Sequence, residues 1–193
     1  METESESPRL YRKDVSVKLC SNLEADNVFL KNYWLKRKRH SRRLSYRIHW
    51  QKQAVGWVQV ADPFGTQLTP ALQEYSVSEA IELCRGFFLE EAPLNIESCG
   101  IAMVLRDVPN TWFINFGEIK RIAIVYQDLD FGQKGIVYKA LGFSQFGRTV
   151  KGRNYLYPSR GDIRGEKVIW AKVLRPISGE HYKNILPNPI NIG

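Results

Sequence analysis

The stretch Tyr138-Lys139-Ala140-Leu141-Gly142-Phe143 links a predicted helix to a predicted strand. The apolar residues around Tyr138 favour a helix over residues 132–141, and Gly142 is a natural C-terminal stop because glycine readily adopts a positive φ. A strand-like segment over residues 143–150 follows. Tyr138 could therefore pack its ring in the core or present its hydroxyl group to a substrate.

An apolar segment upstream of this helix, Ile122–Tyr126, has hydrophobic residues on both faces. That pattern is typical of a central strand covered on both sides. Asp128 follows the strand, where open α/β sheets place side chains that contact ligands. The same aspartate could instead cap or turn the segment that begins at Gly132.

A longer helix is predicted over Glu97–Val108, where apolar residues recur at i, i+3, i+4 and i+7, with a stop at Pro109. Asn95 precedes it and could cap the helix or hydrogen-bond a base or a group donor. Glu97 and Ser98 suit a helix start because acids and hydroxyl groups favour its free N–H groups. As a functional pair, Glu97 would take a proton from an amine and Ser98 would bind the donor.

The rest of the chain predicts alternating strands and helices. Leu44, Tyr46, Ile48 and Trp50 alternate with polar residues, which indicates a half-buried strand. The other predicted elements are a strand over 15–20, a helix over 23–35 capped by Asn22, a turn at 52–53, a return strand over 54–60, a helix from Ser76 or Ser78 to about residue 84, a strand over 86–89 and a strand over 168–173. This order favours an α/β (α+β) fold with a mixed, mostly antiparallel central sheet flanked by helices on both faces.

The charge balance points to a polyanion as one option. Lys and Arg total 28 against 20 Asp and Glu, a formal net charge of +8, although many proteins are basic without a specific partner. The candidate nucleic-acid contacts lie in a dense basic run and a later basic stretch: Lys36, Arg37, Lys38, Arg39, Arg42, Arg43, Arg148, Lys151 and Arg153. Aromatic residues beside the run could stack on an unpaired base or pack in the core: Tyr33, Trp34, Tyr46 and Trp50.

The length of 193 residues suits one domain, with a disordered acidic tail over 1–10, a domain over 11–176 and an extended tail over 177–193. Cys20, Cys84 and Cys99 are too widely spaced for a disulfide framework or a zinc site, and the histidines form no recognisable ligand set, so no metal site is expected. No apolar run approaches the roughly 20 residues that span a bilayer, and the first residues do not resemble a signal peptide. These features favour the cytoplasm.

The order of elements and the Tyr-x-x-x-Gly-Phe pattern at Tyr138 resemble the GNAT acyltransferases. That resemblance implies Tyr138 as the general acid toward the departing group, since a phenol keeps its proton at neutral pH. It also implies acetyl-CoA or a related acyl donor, bound by the loop around Asn95 and Gly100. In GNAT enzymes a Gln/Arg-x-x-Gly-x-Gly/Ala loop cradles pyrophosphate; here only Gly100 matches, and Glu97 would repel phosphate.

The segment Asp128-x-x-x-Gly132-Gln133-x-Gly135-x-x-Tyr138-x-Ala140 is similar to the Mom-like proteins of bacteriophages, as is the Asn-x-Glu-Ser start of the helix after Asn95. Gln133 stands where those proteins carry histidine. The resemblance covers roughly residues 85–150. It implies transfer of a carbamoylmethyl or small acyl-type group to the exocyclic amine of adenine in double-stranded DNA within a bacterial host, with Asp128 or Glu97 handling the proton.

Two alternatives remain open from the sequence. A conventional GNAT N-acetyltransferase would use acetyl-CoA on a protein or a small amine, which the element order favours. A non-catalytic nucleic-acid-binding protein on the same scaffold would need only the basic stretches.

Overall fold

The computed structural model describes residues 10–32, 41–63, 75–129, 134–149, 152–153, 163–164 and 167–175. The helices are α1 (Asn22–Asn32), α2 (Ile96–Phe116) and α3 (Ile136–Ala140). The strands are β1 (Val15–Cys20), β2 (Arg43–Trp50), β3 (Gln53–Ala61), β4 (Ala80–Phe88), β5 (Ile122–Asp128), β6 (Ser144–Thr149), β7 (Gly152–Arg153), β8 (Ile163–Arg164) and β9 (Lys167–Val173). Short 3₁₀ turns occupy Arg12–Asp14 and Val77–Glu79.

Seven strands form one sheet in the order β1-β2-β3-β4-β5-β9-β6, and β7 pairs with β8. Strands β4 and β5 run parallel. The pairs β1–β2, β2–β3, β5–β9 and β9–β6 are antiparallel. The predicted mixed, mostly antiparallel sheet is confirmed.

The chain divides into two compact units. The first unit comprises Met1–Ala61 with Leu83–Val108, and the second comprises Asp62–Glu82 with Pro109–Gly193. The single domain expected over residues 11–176 stays a prediction.

In the first unit, β2 carries helices on both of its faces. Leu44, Tyr46 and Ile48 are buried on one face, and Ile48 packs against Gly100 of α2. The alternate residues, beginning with Arg43, face α1 instead. The alternation therefore predicted the strand correctly, but its polar face is covered rather than open to solvent.

Helix α1 is attached to this polar face by charged groups. Asp26 is 3% exposed and pairs with Arg43 at 2.9 Å. Glu24 accepts hydrogen bonds from the guanidinium group of Arg47 at 3.1 Å and from Nε1 of Trp57 at 3.0 Å. Because burial of a charge is costly unless the charge is paired, these contacts fix where α1 lies on the sheet.

In the second unit, a fully buried lysine supports the entry to β5. Lys120 Nζ donates to Asp62 Oδ1 at 2.8 Å and to the carbonyl of Ser78 at 2.6 Å. It also lies 4.8 Å from the ring centroid of Trp112. The ammonium group thus gains an ion pair and a cation–π contact in place of water.

The helix predicted from Ser76 or Ser78 to about residue 84 is wrong. A capping box closes a single 3₁₀ turn, in which Glu79 Oε2 accepts the amide of Ser76 at 2.7 Å. The chain then enters β4, whose first residues pair with β5. The capping residues were therefore recognised, but the apolar run after them belongs to a strand.

Helix α2 continues past the predicted stop at Pro109. The missing amide of proline removes one helical hydrogen bond. Helical spacing of apolar residues nevertheless continues to Trp112, which is fully buried and lies 4.6 Å from the ring of Phe116. Burial of Trp112 offsets the cost of the proline.

Smaller corrections concern the ends of elements. The side chain of Ser21, not that of Asn22, caps α1 by accepting the amide of Glu24 at 3.1 Å. The hairpin turn consists of Gln51 and Lys52, one residue earlier than expected. Helix α3 begins at Ile136, whereas residue 132 was expected to begin it. Residues 33–35 and 132–133 lie outside the described residues.

Candidate active site

The Tyr-x-x-x-Gly-Phe pattern forms the C-terminal end of α3. Gly142 has a φ of 75°, and its amide donates to the carbonyl of Lys139 at 2.9 Å. The amide of Phe143 donates to the carbonyl of Tyr138 at 3.0 Å. Together these bonds make a Schellman motif. The rings of Tyr138 and Phe143 lie 6.2 Å apart, which is the apolar contact that often accompanies this motif.

A second aromatic residue holds Tyr138 from β9. The ring of Trp170 lies 6.1 Å from that of Tyr138, and its Nε1 donates to Gln127 Oε1 at 2.7 Å. A Cβ atom at Gly135 would come within 2.8 Å of both Gln127 Oε1 and Trp170 Cζ2. Glycine at this position therefore lets the start of α3 approach the Gln127–Trp170 pair, and Tyr138 stays half-buried on a fixed support.

Asp128 lies at the end of β5 and is paired across the sheet. Its Oδ2 lies 3.1 Å from Nζ of Lys167, its register partner on β9. Gln127 contacts Trp170, and successive side chains alternate across a strand, so Asp128 faces the opposite side of β5. The structure therefore does not bring Asp128 and Tyr138 together.

The start of α2 carries three of the candidate residues. Asn95 has a φ of 67°, and its carbonyl accepts the amide of Cys99 at 3.0 Å and the hydroxyl of Ser98 at 3.1 Å. Desolvation raises the pKa of Glu97 above its ordinary value, although the side chain remains exposed. Glu97 is thus a carboxyl group whose proton affinity is shifted toward that of a general base.

Gly100 has a packing role in the first unit. A Cβ atom there would meet Ile48 Cγ1 at 2.8 Å and Cγ2 at 3.0 Å, so only glycine lets α2 approach β2 this closely. Its backbone is buried, and the first turn of the helix carries the acidic side chain of Glu97. These residues do not fit the pyrophosphate of a CoA donor, because a carboxylate already lies near the positive end of the helix.

The candidate nucleic-acid contacts are described only in part. Arg42 and Arg148 are exposed, whereas the guanidinium group of Arg43 pairs with buried Asp26. Lys36, Arg37, Lys38, Arg39, Lys151, Tyr33 and Trp34 lie outside the described residues, and only the backbone of Arg153 is described. Tyr46 is 1% exposed, so its ring packs in the core.

Sequence reasoning missed three residues around the candidate site: Gln127, Lys167 and Trp170. Trp170 lies in a predicted strand, and Gln127 and Lys167 lie directly beside predicted strands. The contact of Trp170 with Gln127, however, joins residues 43 positions apart. Side-chain alternation along β9 could have indicated these residues, but only together with the register between β5 and β9.

Two kinds of feature are absent from the described part of the chain. No group of three or more His, Cys, Asp or Glu side chains in it could hold a metal ion. No helix in it is long and apolar enough to cross a membrane.

The fold is shared with N-acetyltransferases of low sequence identity. A spermidine N-acetyltransferase from Vibrio cholerae gives a TM-score of 0.53 at 10% identity, over 83% of this chain and 94% of that one. The ribosomal-protein-S5-alanine acetyltransferase from Vibrio fischeri gives 0.53 at 12% identity, over 89% and 100%. The Arabidopsis thaliana protein NAA60, solved in complex with acetyl-CoA, gives 0.55 at 9% identity, over 82% and 98%.

These likenesses show a GNAT-like fold and confirm that expectation. No protein of curated function matches the sequence. The Mom protein family, however, matches residues 14–186, which is most of the chain and includes the α2 start, β5 and α3. The chain belongs to the Mom protein family.

Proposed function

We propose that this protein transfers a carbamoylmethyl or small acyl-type group to the exocyclic amine of adenine in DNA. Mom proteins modify adenine in DNA by carbamoylmethylation, on a GNAT-like fold. The observation that carries the proposal for this chain is the half-buried phenol of Tyr138, held by Phe143 and Trp170 in the segment that resembles that family.

The reaction is difficult because the adenine amine is a poor nucleophile. Its lone pair is delocalised into the ring, so the site must orient the amine, accept its proton and exclude water. A new bond forms from the amine nitrogen to the transferred carbon while the bond from that carbon to the leaving group breaks. The base must also leave the duplex stack, at a cost of a few kcal/mol.

Tyr138 is proposed to give its phenolic proton to the leaving group. A phenol with an ordinary pKa of about 10 remains protonated at neutral pH and can act as a general acid. The contacts of its ring with Phe143 and Trp170 restrict the direction of the hydroxyl group. Such a fixed geometry is what proton transfer in a transition state requires.

Glu97 is proposed to accept the proton of the amine. Its pKa is raised by desolvation, which makes the carboxylate a stronger base than an ordinary glutamate. Asp128, beside Lys167, is the second candidate for this role. Asn95 and Ser98, at the same helix start as Glu97, are proposed contacts of the group donor, whose chemical identity is open.

The DNA contacts proposed for the described residues are Arg42 and Arg148, which are exposed. Guanidinium groups bind phosphate oxygens through paired hydrogen bonds and hold the duplex without reading its sequence. The basic run over residues 36–39 and Lys151 and Arg153 are proposed to extend this footprint.

Mass spectrometry of nucleosides from the DNA of cells that express the protein tests the proposal. Wild type should give a new adenosine mass, and Tyr138→Phe should lower its yield by about 100-fold or more, the usual contribution of a general acid. Tyr11→Phe is the matched control, because Tyr11 is 51% exposed and lies outside the candidate site. An unchanged nucleoside profile with folded wild-type protein would overturn the proposal for a donor that the host makes.

The fold supports a second candidate, an N-acetyltransferase acting on a protein or a small amine. Acetyl-CoA is bound by the structurally similar Arabidopsis protein. A rise in melting temperature with acetyl-CoA, together with no effect of DNA and no modified adenosine, would favour this candidate. The misfit of Glu97 to a pyrophosphate makes the DNA-modifying reaction the better supported one.

A further inference from the structure

A surface pocket of about 340 Å³ lies at the turn of the β2–β3 hairpin, beside the start of β1 and within the first unit. Three lysines contribute to its lining: Lys13, Lys18 and Lys52. His49 and Gln51 add polar groups, and Asp14 is the one acidic residue among the lining residues. With one carboxylate against three ammonium groups, the pocket has a net positive charge.

The strand register concentrates this charge. Lys18 on β1 lies directly opposite Arg47 on β2, and like charges in that arrangement are destabilising. Glu24 pairs with Arg47 on the side covered by α1. Because that ion pair compensates Arg47, the positive charge that this position adds to the pocket comes from Lys18, and such a charge suits an anion.

The turn at the pocket is strained. Gln51 and Lys52 have φ values of 48° and 70°. Two-residue hairpin turns with two positive φ values strongly favour Asn-Gly or Asp-Gly, because other side chains adopt this conformation at a cost. Both strained residues are among those that line the pocket. A relaxed Asn-Gly turn would replace both of them.

His49 gives a further sign of an incomplete site. Its Nδ1 is buried and has no hydrogen-bond partner within the described part of the chain. Its pKa is lowered by desolvation and by Arg47 and Lys18. The ring is therefore neutral near pH 7, when one ring nitrogen donates and the other accepts.

We infer that this pocket binds a phosphate group of the DNA backbone, through Lys13, Lys18 and Lys52. The inference rests on the proposed function, because the substrate DNA supplies the phosphate. Lysine ammonium groups bind phosphate as point charges, without sequence preference. The residues assigned to the pocket are separate from the basic run over 36–43.

The position of the pocket favours the DNA backbone over a free phosphate compound. The amide of Leu89 donates to the carbonyl of Val55 at 2.9 Å, so the loop that leads from β4 to α2 begins beside the hairpin end of β3. The pocket and the loop leading to Glu97 and Ser98 are thus at the same end of the first unit. Lys18 shares the face of its register partner Arg47, which α1 covers, whereas α2 packs on the face of Ile48. A duplex whose adenine is presented at the start of α2 would therefore reach the pocket around the hairpin end.

The salt dependence of duplex binding tests the inference. The variant Lys18→Gln/Lys52→Gln is compared with Lys31→Gln/Arg106→Gln, which removes the same charge from exposed positions on α1 and α2. Each phosphate contact contributes about 0.9 to the slope of log affinity against log salt. Loss of two contacts should lower the magnitude of the slope by about 2 and the affinity by about 10- to 100-fold at 0.1 M salt.

The control variant should keep the wild-type slope, and both variants should keep the wild-type melting temperature within about 3 °C for a chain of this size. Equal slopes for the two variants would overturn the inference while leaving the proposed function intact, provided wild type still modifies adenine. A wild-type protein that neither binds nor modifies DNA would overturn both.

A calorimetric titration with inorganic pyrophosphate separates the two sources of phosphate. Binding to wild type that is lost in Lys18→Gln/Lys52→Gln, with an unchanged slope for DNA, would assign the pocket to a free phosphate compound and overturn the inference. No saturable binding of pyrophosphate, together with the changed DNA slope, is the expected result.

Discussion

The ring and the hydroxyl group of Tyr138 have separable tasks. The ring packs against Phe143 and Trp170 at the end of α3, and phenylalanine would keep these contacts. Tyr138→Phe therefore removes only the proton that the proposal needs, whereas alanine would also remove the packing. Ring packing alone can explain why the sequence has an aromatic residue at this position. A catalytic role therefore has to be tested by removing only the hydroxyl group.

Glu97 gives a prediction in which stability and activity change in opposite directions. Its folded-state pKa is raised, so ionisation disfavours the folded state as pH rises through that pKa. Glu97→Gln should therefore raise the melting temperature slightly at pH 7, and the gain should vanish near pH 4, where wild type is protonated. Adenine modification should fall by about 100-fold because the base is lost.

Glu91→Gln is the matched control for that experiment, since Glu91 is an exposed glutamate in the loop before α2. It should alter neither the pH dependence of melting nor the yield of modified nucleoside. A Glu97→Gln variant with full activity would remove Glu97 from the mechanism. Melting curves over pH 4 to 7 and nucleoside mass spectrometry supply both measurements.

Among the elements, the end of α3 depends on one backbone conformation. Gly142 has a φ of 75°, where an L-residue costs about 1–2 kcal/mol. Gly142→Ala should lower the free energy of unfolding by about that amount and displace Tyr138, whose carbonyl belongs to the same motif. Chemical denaturation gives the first quantity and the yield of modified adenosine gives the second.

Gly117 offers a control with the same backbone requirement. Its φ is 71°, and a Cβ atom there would meet no heavy atom within 4 Å. Gly117→Ala should cost a similar free energy without changing Tyr138. Equal losses of activity in the two variants would mean that stability, not the position of Tyr138, limits the reaction.

The attachment of α1 should depend strongly on one of its two ion pairs. Asp26→Ala leaves the guanidinium group of Arg43 without its buried partner, and breaking a buried pair in this way costs about 3–5 kcal/mol. Glu24→Ala removes a pair whose side chains are 34–35% exposed, so loss of that ion pair should cost under about 1 kcal/mol, and loss of the hydrogen bond from Trp57 adds to it. Equal destabilisation, measured by urea unfolding, would contradict this assignment.

The elements that sequence predicted well are those with an unambiguous period. Alternation identified β2, and the helical stripe identified α2. The error at residues 80–84 arose because a capping box with acids after it is also compatible with one turn that leads into a strand. The cover over the polar face of β2 was not predictable, since it depends on charges of α1 that pair only after the chain has folded.

At the scale of the whole molecule, the net charge of +8 agrees with a partner that carries many negative charges. The affinity of wild type for duplex DNA should fall by at least tenfold between 50 and 200 mM salt. Binding releases counterions from the DNA, and this release favours binding less as the salt concentration rises. Fluorescence anisotropy with a labelled duplex measures this effect. An affinity independent of salt would contradict a backbone-based mode of binding.

The candidate site was predictable as a set of residues but not as an arrangement. Tyr138, Asp128 and the start of α2 could be selected from motifs and from their positions after strands or before helices. Which β9 residues meet Asp128 and Gln127 follows from the register of β5 with β9, which local sequence does not specify. For the same reason Lys167 and Trp170 became visible only in the folded chain.

The strained hairpin turn has a consequence for laboratory evolution of this protein. A library randomised at Gln51 and Lys52 and selected only for heat resistance should converge on Asn-Gly, which adopts the same backbone without strain. The same library selected for DNA modification should keep a basic residue at position 52. The difference in residue frequencies between the heat-selected and the activity-selected populations would measure the stability that is lost at that turn in favour of function.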